Sequence, residues 1–161
     1  MEPLGASSGR GEDFPIYDQR LQREGWRCVH EGTATWHASR ETLSFSYDLA
    51  ITYRRARPGS RAKDFELQMR ILGLHEREGP WYVVEYDLLD VKQEQEVPLG
   101  RLDWADWDSN GDLLFAREGR LYRLEPQRKD HTVDVSQPHE VADLRGLVFE
   151  NRRASPAFTQ W

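Results

Sequence analysis

Apolar and polar residues alternate along most of this chain, which places successive side chains on opposite faces of a strand. The stretch 43–53 shows the alternation best. Leu43, Phe45, Tyr47, Leu49, Ile51 and Tyr53 fall on one face, with Ser44, Ser46, Asp48, Ala50 and Thr52 on the other. It is longer than an average strand, so a bend near Asp48 is expected. The rhythm returns at Phe65, Leu67, Met69 and Ile71, at Tyr82, Val84, Tyr86 and Leu88, and around 94–99. It recurs at 113–116 and 120–124, and near Val133, Val141 and Leu147. A short helix or turn at 17–23, with Tyr17 and Leu21 four apart, is the one helical option. The pattern predicts an all-β fold, an antiparallel β-meander of about ten strands.

Turn and loop chemistry divides the strands. Residues 1–13 carry Gly5, Ser7, Ser8, Gly9 and Gly11 and bring little apolar surface besides Leu4. Nothing there repays the entropy of ordering, so residues 1–15 are assigned to a flexible tail and 16–161 to a single all-β domain. The segment 54–63, with Pro58, Gly59 and Ser60, reads as a mobile loop, and its Arg54, Arg55, Arg57 and Arg61 as a solvated basic cluster. Arg23-Glu24-Gly25, Arg77-Glu78-Gly79 and Arg117-Glu118-Gly119 echo one another, each before an aromatic or β-branched run. Each glycine stands where a hairpin needs a positive φ, and the three suggest related hairpins in one meander. At the other end, Leu144–Phe149, Ala157, Phe158 and Trp161 are too apolar for a free tail. The chain end is expected to dock on the β-body, leaving an open edge to pair with a second copy or a partner chain.

Composition narrows the class. At 161 residues the chain can build one domain with a substantial core, and its 6 Trp, 6 Tyr and 6 Phe are foreign to disordered sequences. A net charge of -6 argues against a nucleic-acid binder, because affinity for phosphate backbones comes from a cationic surface. The longest apolar runs fall well short of the roughly 18 residues that span a bilayer, so no membrane segment and a cytoplasmic location are expected. The single Cys28 cannot form an internal disulfide and reads as a small buried hydrophobe on a strand.

One segment carries a resemblance. Asp103-Trp104-Ala105-Asp106-Trp107-Asp108-Ser109-Asn110-Gly111-Asp112-Leu113-Leu114-Phe115-Ala116, followed by Gly119-Arg120-Leu121-Tyr122-Arg123-Leu124, resembles a blade of the bacterial β-propeller type. The match covers 101–125 well and the rest only by strand rhythm. It implies that Trp107 packs between neighbouring blades and that Asp108–Gly111 forms a tight turn. In many such propellers the turn carries Pro-Asp where Ser109-Asn110 stands here, a mild change. Blades of about 40 to 45 residues, repeated at least four times, need more chain than this one supplies. The fold is therefore expected to be a set of incomplete propeller-like blades, with a closed β-barrel or sandwich as the alternative.

Candidate chemistry is sparse. Gly9-Arg10-Gly11 has no strand before it, no serine sits in a nucleophile elbow, and no histidine pair has zinc-ligand spacing, so no catalytic residue and no cofactor are expected. Glu85 and Asp87 share a strand face near Asp90, and a solvated outer face explains them better than an acid–base pair. Asp106, Asp108, Asn110 and Asp112 copy the first half of a calcium loop, with Gly111 at the bend. The position needing a bidentate Glu is Arg117, and the flanks are strand, so an Asx-type turn is preferred and no metal is expected. Trp81, Trp104 and Trp107 would line a pocket if the chain bound a planar ligand, but core packing is the simpler role. The expected function is a non-catalytic interaction or assembly module, with a protein partner or a second copy; the alternative is a small-ligand or glycan-binding β-barrel domain.

Overall fold

The structure, a computed structural model, describes residues 14–31, 33–38, 43–59, 64–76 and 80–147. Helix α1 (Phe14–Arg23) comes first and begins inside the stretch assigned to the tail; residues 1–13 lie outside the described part. It stops at Gly25, whose φ of 90° lets the Gly25 N–H reach the Gln22 carbonyl (3.0 Å) and the Trp26 N–H reach Leu21 (2.9 Å). That is a Schellman stop, so the first member of the Arg-Glu-Gly echo ends a helix and turns no hairpin. Leu21 and Trp26, on either side of the stop, are buried in the core.

Twelve strands follow among the described residues, more than the expected ten or so: β2, β7 and the very short β10 have no counterpart in the expected set, and the strand expected near Leu147 is a turn. The first sheet comprises β1 (Arg27–His30), β2 (Thr33–Ala38), β3 (Leu43–Ala56), β4 (Phe65–Glu76), β5 (Pro80–Asp90) and β6 (Gln95–Arg101). β1 and β2 share one edge of β3, pairing with Thr52–Arg54 and Leu43–Leu49 respectively, and β3 to β6 are joined antiparallel in chain order. The bend expected near Asp48 is present: between the pairs Ser46–Gly73 and Ile51–Ile71, five steps along β3 face two along β4. The second sheet holds β7 (Trp104–Trp107), β8 (Leu113–Arg117), β9 (Arg120–Leu124) and β12 (His139–Asp143), also antiparallel in chain order. Between β9 and β12 stands the separate hairpin β10 (Gln127–Lys129) and β11 (Thr132–Asp134). The fold is thus an all-β antiparallel meander, and no barrel closes among the described residues.

Alternation puts one core between the two sheets. Phe65, Leu67, Met69 and Ile71 of β4 face it with Tyr86 and Leu88 of β5 in register, and Ala105, Trp107, Leu113, Phe115 and Leu124 close it from the second sheet. Each fully buried leucine contributes about 1.5–3 kcal/mol relative to exposure. The outer face of the first sheet is a polar ladder. Arg54 donates to Gln68 (2.8 Å), Gln68 to Asp87 (3.0 Å), and Arg70 makes a fork onto both Asp87 oxygens (2.7 and 3.0 Å). Glu85 also pairs with Arg70 (3.3 Å), so Glu85 and Asp87 clasp one cation and do not line a cleft. Asp87 is 0% exposed, a solvated face only at the ladder's margins.

The segment 54–63 differs from expectation. β3 runs on to Ala56, and Arg57 is 2% exposed, its guanidinium set between the rings of Phe65 (5.6 Å) and Trp107 (5.8 Å). Its Nε donates to the Gly111 carbonyl at 2.5 Å. Gly111 has φ +82°, and a Cβ there would stand 3.0 Å from Arg57 Nε and 3.3 Å from the Pro58 carbonyl, so the turn docks on β3 only as glycine. The cluster Arg54, Arg55 and Arg57 is therefore structural; Arg61 lies outside the described residues. Cys28 is exposed, because all of β1 lies at a solvated edge.

Residues 144–147 form a turn after β12 and do not continue as strand: Leu144 N–H bonds to Gly119 (2.9 Å) and Leu147 N–H to Leu144 (3.0 Å), with Leu147 56% exposed. Residues 148–161 lie outside the described part.

Candidate binding groove at the seam of the sheets

Asp90 ends β5 on the core-facing side, in register with Phe65. A carboxylate at 1% exposure must be paired, and it is: Arg128 of β10 reaches both its oxygens (2.5 and 2.7 Å) while the Lys92 and Gln93 N–H groups cap Oδ1 at 3.0 Å each. The Arg128 guanidinium lies 4.7 Å from the Phe65 ring centre and also donates to the Asp64 carbonyl (3.2 Å). The bond from Arg128 holds the Asp90 carboxyl below the usual carboxylate range. Gln95 of β6 adds a bond to the His131 carbonyl (3.2 Å). These contacts clasp the β10–β11 hairpin to the end of the first sheet.

The clasp directs the chain that follows. Asp134 accepts both the amide (2.9 Å) and the hydroxyl (2.6 Å) of Ser136, and those bonds keep its carboxyl low. Val133 and Val135 pack against the core. Residues 135–138 then run past β6, and between them opens a groove of about 290 Å³. Its floor is Leu102, Phe115 and Leu124, all buried; Leu99 and Val135 are half-buried walls; Pro98, Arg117 and Ser136 form an exposed rim. Phe115 and Tyr122 stack at 5.2 Å, and the Arg117 guanidinium lies over both rings, at 5.8 and 5.6 Å. The turn from β8 to β9, with Glu118 (φ 53°) and Gly119 (φ 73°) both left-handed, fixes that strand pair.

A second clasp joins β3 of the first sheet to β7 of the second. Arg55 grips both oxygens of Asp106, and the Trp107 indole N–H donates to the Arg55 carbonyl (3.1 Å). Burial pushes the Asp106 carboxyl above its ordinary value, against the bond from Trp107 N–H and the charge of Arg55.

The residues singled out by sequence are dispersed. Asp106 is committed to Arg55. Asp108 caps its own turn, accepting from the N–H groups of Asn110 (2.8 Å) and Asp112 (2.9 Å). Asp108–Gly111 is thus a tight turn of Asx type, and among the described residues no three His, Cys, Asp or Glu side chains converge as a metal site. Trp107 is 6% exposed and packs between the two sheets; Trp104, at the start of β7, is 44% exposed and lies away from the groove. Trp81 stands in β5 opposite His75, and its side chain lies outside the described part. The groove residues were visible in sequence only as strand positions. Arg117 figures in the Arg-Glu-Gly echo and as the residue standing where a calcium loop needs Glu, and neither marks it as a rim residue.

No family model, curated protein or solved structure matches this chain.

Proposed function

We propose that this chain is a non-catalytic binding module whose recognition surface is the groove at the seam of its two sheets. The observation that carries the reading is the combination of a buried apolar floor with one charged group at the rim, the usual make-up of a small-ligand site. Its polar groups suit binding better than chemistry. Arg117 offers only donors, and the Ser136 hydroxyl is bonded to Asp134.

The groove supports the small-ligand alternative over assembly through an open edge. β6 carries Pro98, which has no N–H to offer a new strand, and β12 has a register shift at Val141, between Glu140 and Ala142. Both devices blunt a sheet edge against pairing. The four-strand meander β7–β8–β9–β12 agrees with the blade-like reading of 101–125, which stays part of this proposal. A cytoplasmic setting is proposed on the single thiol, and the charge of -6 favours partners other than nucleic acid. Among the described residues, no helix is long and apolar enough to cross a membrane.

Isopropanol titration followed by amide and methyl chemical shifts tests the site. Perturbations should concentrate on Leu99, Leu102, Phe115 and Leu124, with the mass by light scattering staying at 18.9 kDa. Shifts centred on the β12 edge, with a doubled mass, would return the weight to self-assembly.

A further inference from the structure

We infer that the groove takes a small monocarboxylate with an apolar body, held by its carboxylate on Arg117. The inference rests on the proposed binding role of the groove and adds the chemistry of the occupant. Three observations support it.

First, Arg117 is an exception among its kind. Other arginines of the described strands have polar partners: Arg27 pairs with Glu66, Arg55 with Asp106, Arg70 with Asp87, Arg120 with Glu140 and Arg128 with Asp90, and Arg54 donates to Gln68. The Arg117 side chain makes no ion pair or hydrogen bond to a described residue and is held over Phe115 and Tyr122 by their ring faces. In a chain with 28 acids against 22 bases, a rim arginine that leaves its donors open is poised for an external anion.

Second, Ser136, the other hydrogen-bonding side chain of the rim, is already engaged. Asp134 is turned onto Ser136 by two bonds, which also consume the Ser136 donors and leave Arg117 as the fixed polar anchor of the rim. One cation beside apolar walls selects one negative charge at one end of an apolar molecule.

Third, the volume selects a small body. A volume of about 290 Å³ sits at the lower end for ligand sites. The floor of Leu102, Phe115 and Leu124 offers aliphatic and aromatic surface and no donor or acceptor side chain, so a hydroxyl-rich sugar would lose its hydrogen bonds on entry.

Octanoate is the probe, compared at neutral pH with octan-1-ol and octyltrimethylammonium on the unaltered chain by calorimetry and chemical shift. Octanoate should bind saturably with shifts at Leu102 and Leu124, at least about tenfold more tightly than either comparison ligand, the factor expected for a charge-assisted hydrogen bond. Arg117→Gln should weaken octanoate by a similar factor while leaving octan-1-ol unchanged, and Leu99→Trp, which fills the groove from its half-exposed wall, should abolish both. Equal affinity for octanoate and octan-1-ol would overturn the carboxylate inference and leave the groove as a binding site. Shifts at the groove with none of the three ligands would overturn both. The comparison of ligands uses the unaltered chain, so a destabilised variant does not blunt the test.

Discussion

Replacing Asp90 by Ala should cost about 3 kcal/mol of stability, a fall in Tm of roughly 6–12 °C for a chain of this size. The side chain is buried and accepts from Arg128, Lys92 and Gln93, so its removal deprives a guanidinium over Phe65 of its counter-charge and uncaps the β5–β6 turn. The figure sits at the low end for a broken buried pair because Arg128 is about a quarter exposed and water reaches its outer edge. Asp90→Asn keeps an acceptor for the two turn amides and loses only the charge, so it should cost about half as much. The pH dependence separates the two parts. Arg128 holds the Asp90 carboxyl below its unfolded value, so the folded state releases that proton more readily than the unfolded one. The resulting stabilisation is fully present above about pH 4 and is lost as pH falls through the lowered value. The gap between the native chain and Asp90→Ala, measured by urea unfolding, should therefore narrow below about pH 4. A gap that stays constant with pH would reduce Asp90 to a turn cap.

Trp107→Ala should cost about 3–5 kcal/mol, whereas Trp104→Ala should fall within about 0.5 kcal/mol of the native chain. Trp107 joins the sheets: its ring covers Arg57, its indole N–H donates to Arg55, and its burial sits beside Leu113 in the β7–β8 pair. Trp104 faces solvent on the other side of the same strand. If Trp107 served a ligand instead of the core, its truncation would leave the urea midpoint nearly unchanged and abolish binding at a site that includes it.

The sequence reading succeeded where one physical rule dominated. Period-two alternation located most strands, and even the bend near Asp48 followed from a run too long to stay regular. It failed where a charge takes a core-facing position. The face that carries Ile51 and Tyr53 continues to Arg55 and Arg57, and the face of Tyr86 and Leu88 continues to Asp90; parity alone marked all three as inward. The two arginines read as loop because they cluster beside Pro58 and Gly59, and Asp90 read as a neighbour of the acidic outer face of Glu85 and Asp87. What sequence does not supply is the partner, since Asp106 lies 51 residues from Arg55 and Arg128 lies 38 from Asp90. The groove was illegible for the same reason. Its floor comes from β8, β9 and Leu102, and its outer wall is a segment aimed by the Asp90–Arg128 clasp, so it exists only after long-range pairing. Gly25 was misread because a glycine with positive φ stops a helix as readily as it turns a hairpin, and the choice depends on whether 14–23 is helical.

The groove is the seam of the two sheets, so it exists only if they form one body. Native-state hydrogen exchange across a urea series tests this directly. The amides of Leu67 and Leu88 in the first sheet and of Leu113 and Phe115 in the second should converge on a single opening free energy equal to that of global unfolding. If the second sheet exchanged through a separate, lower-energy opening while the first stayed protected, the shared core would be contradicted, and the seam groove with it.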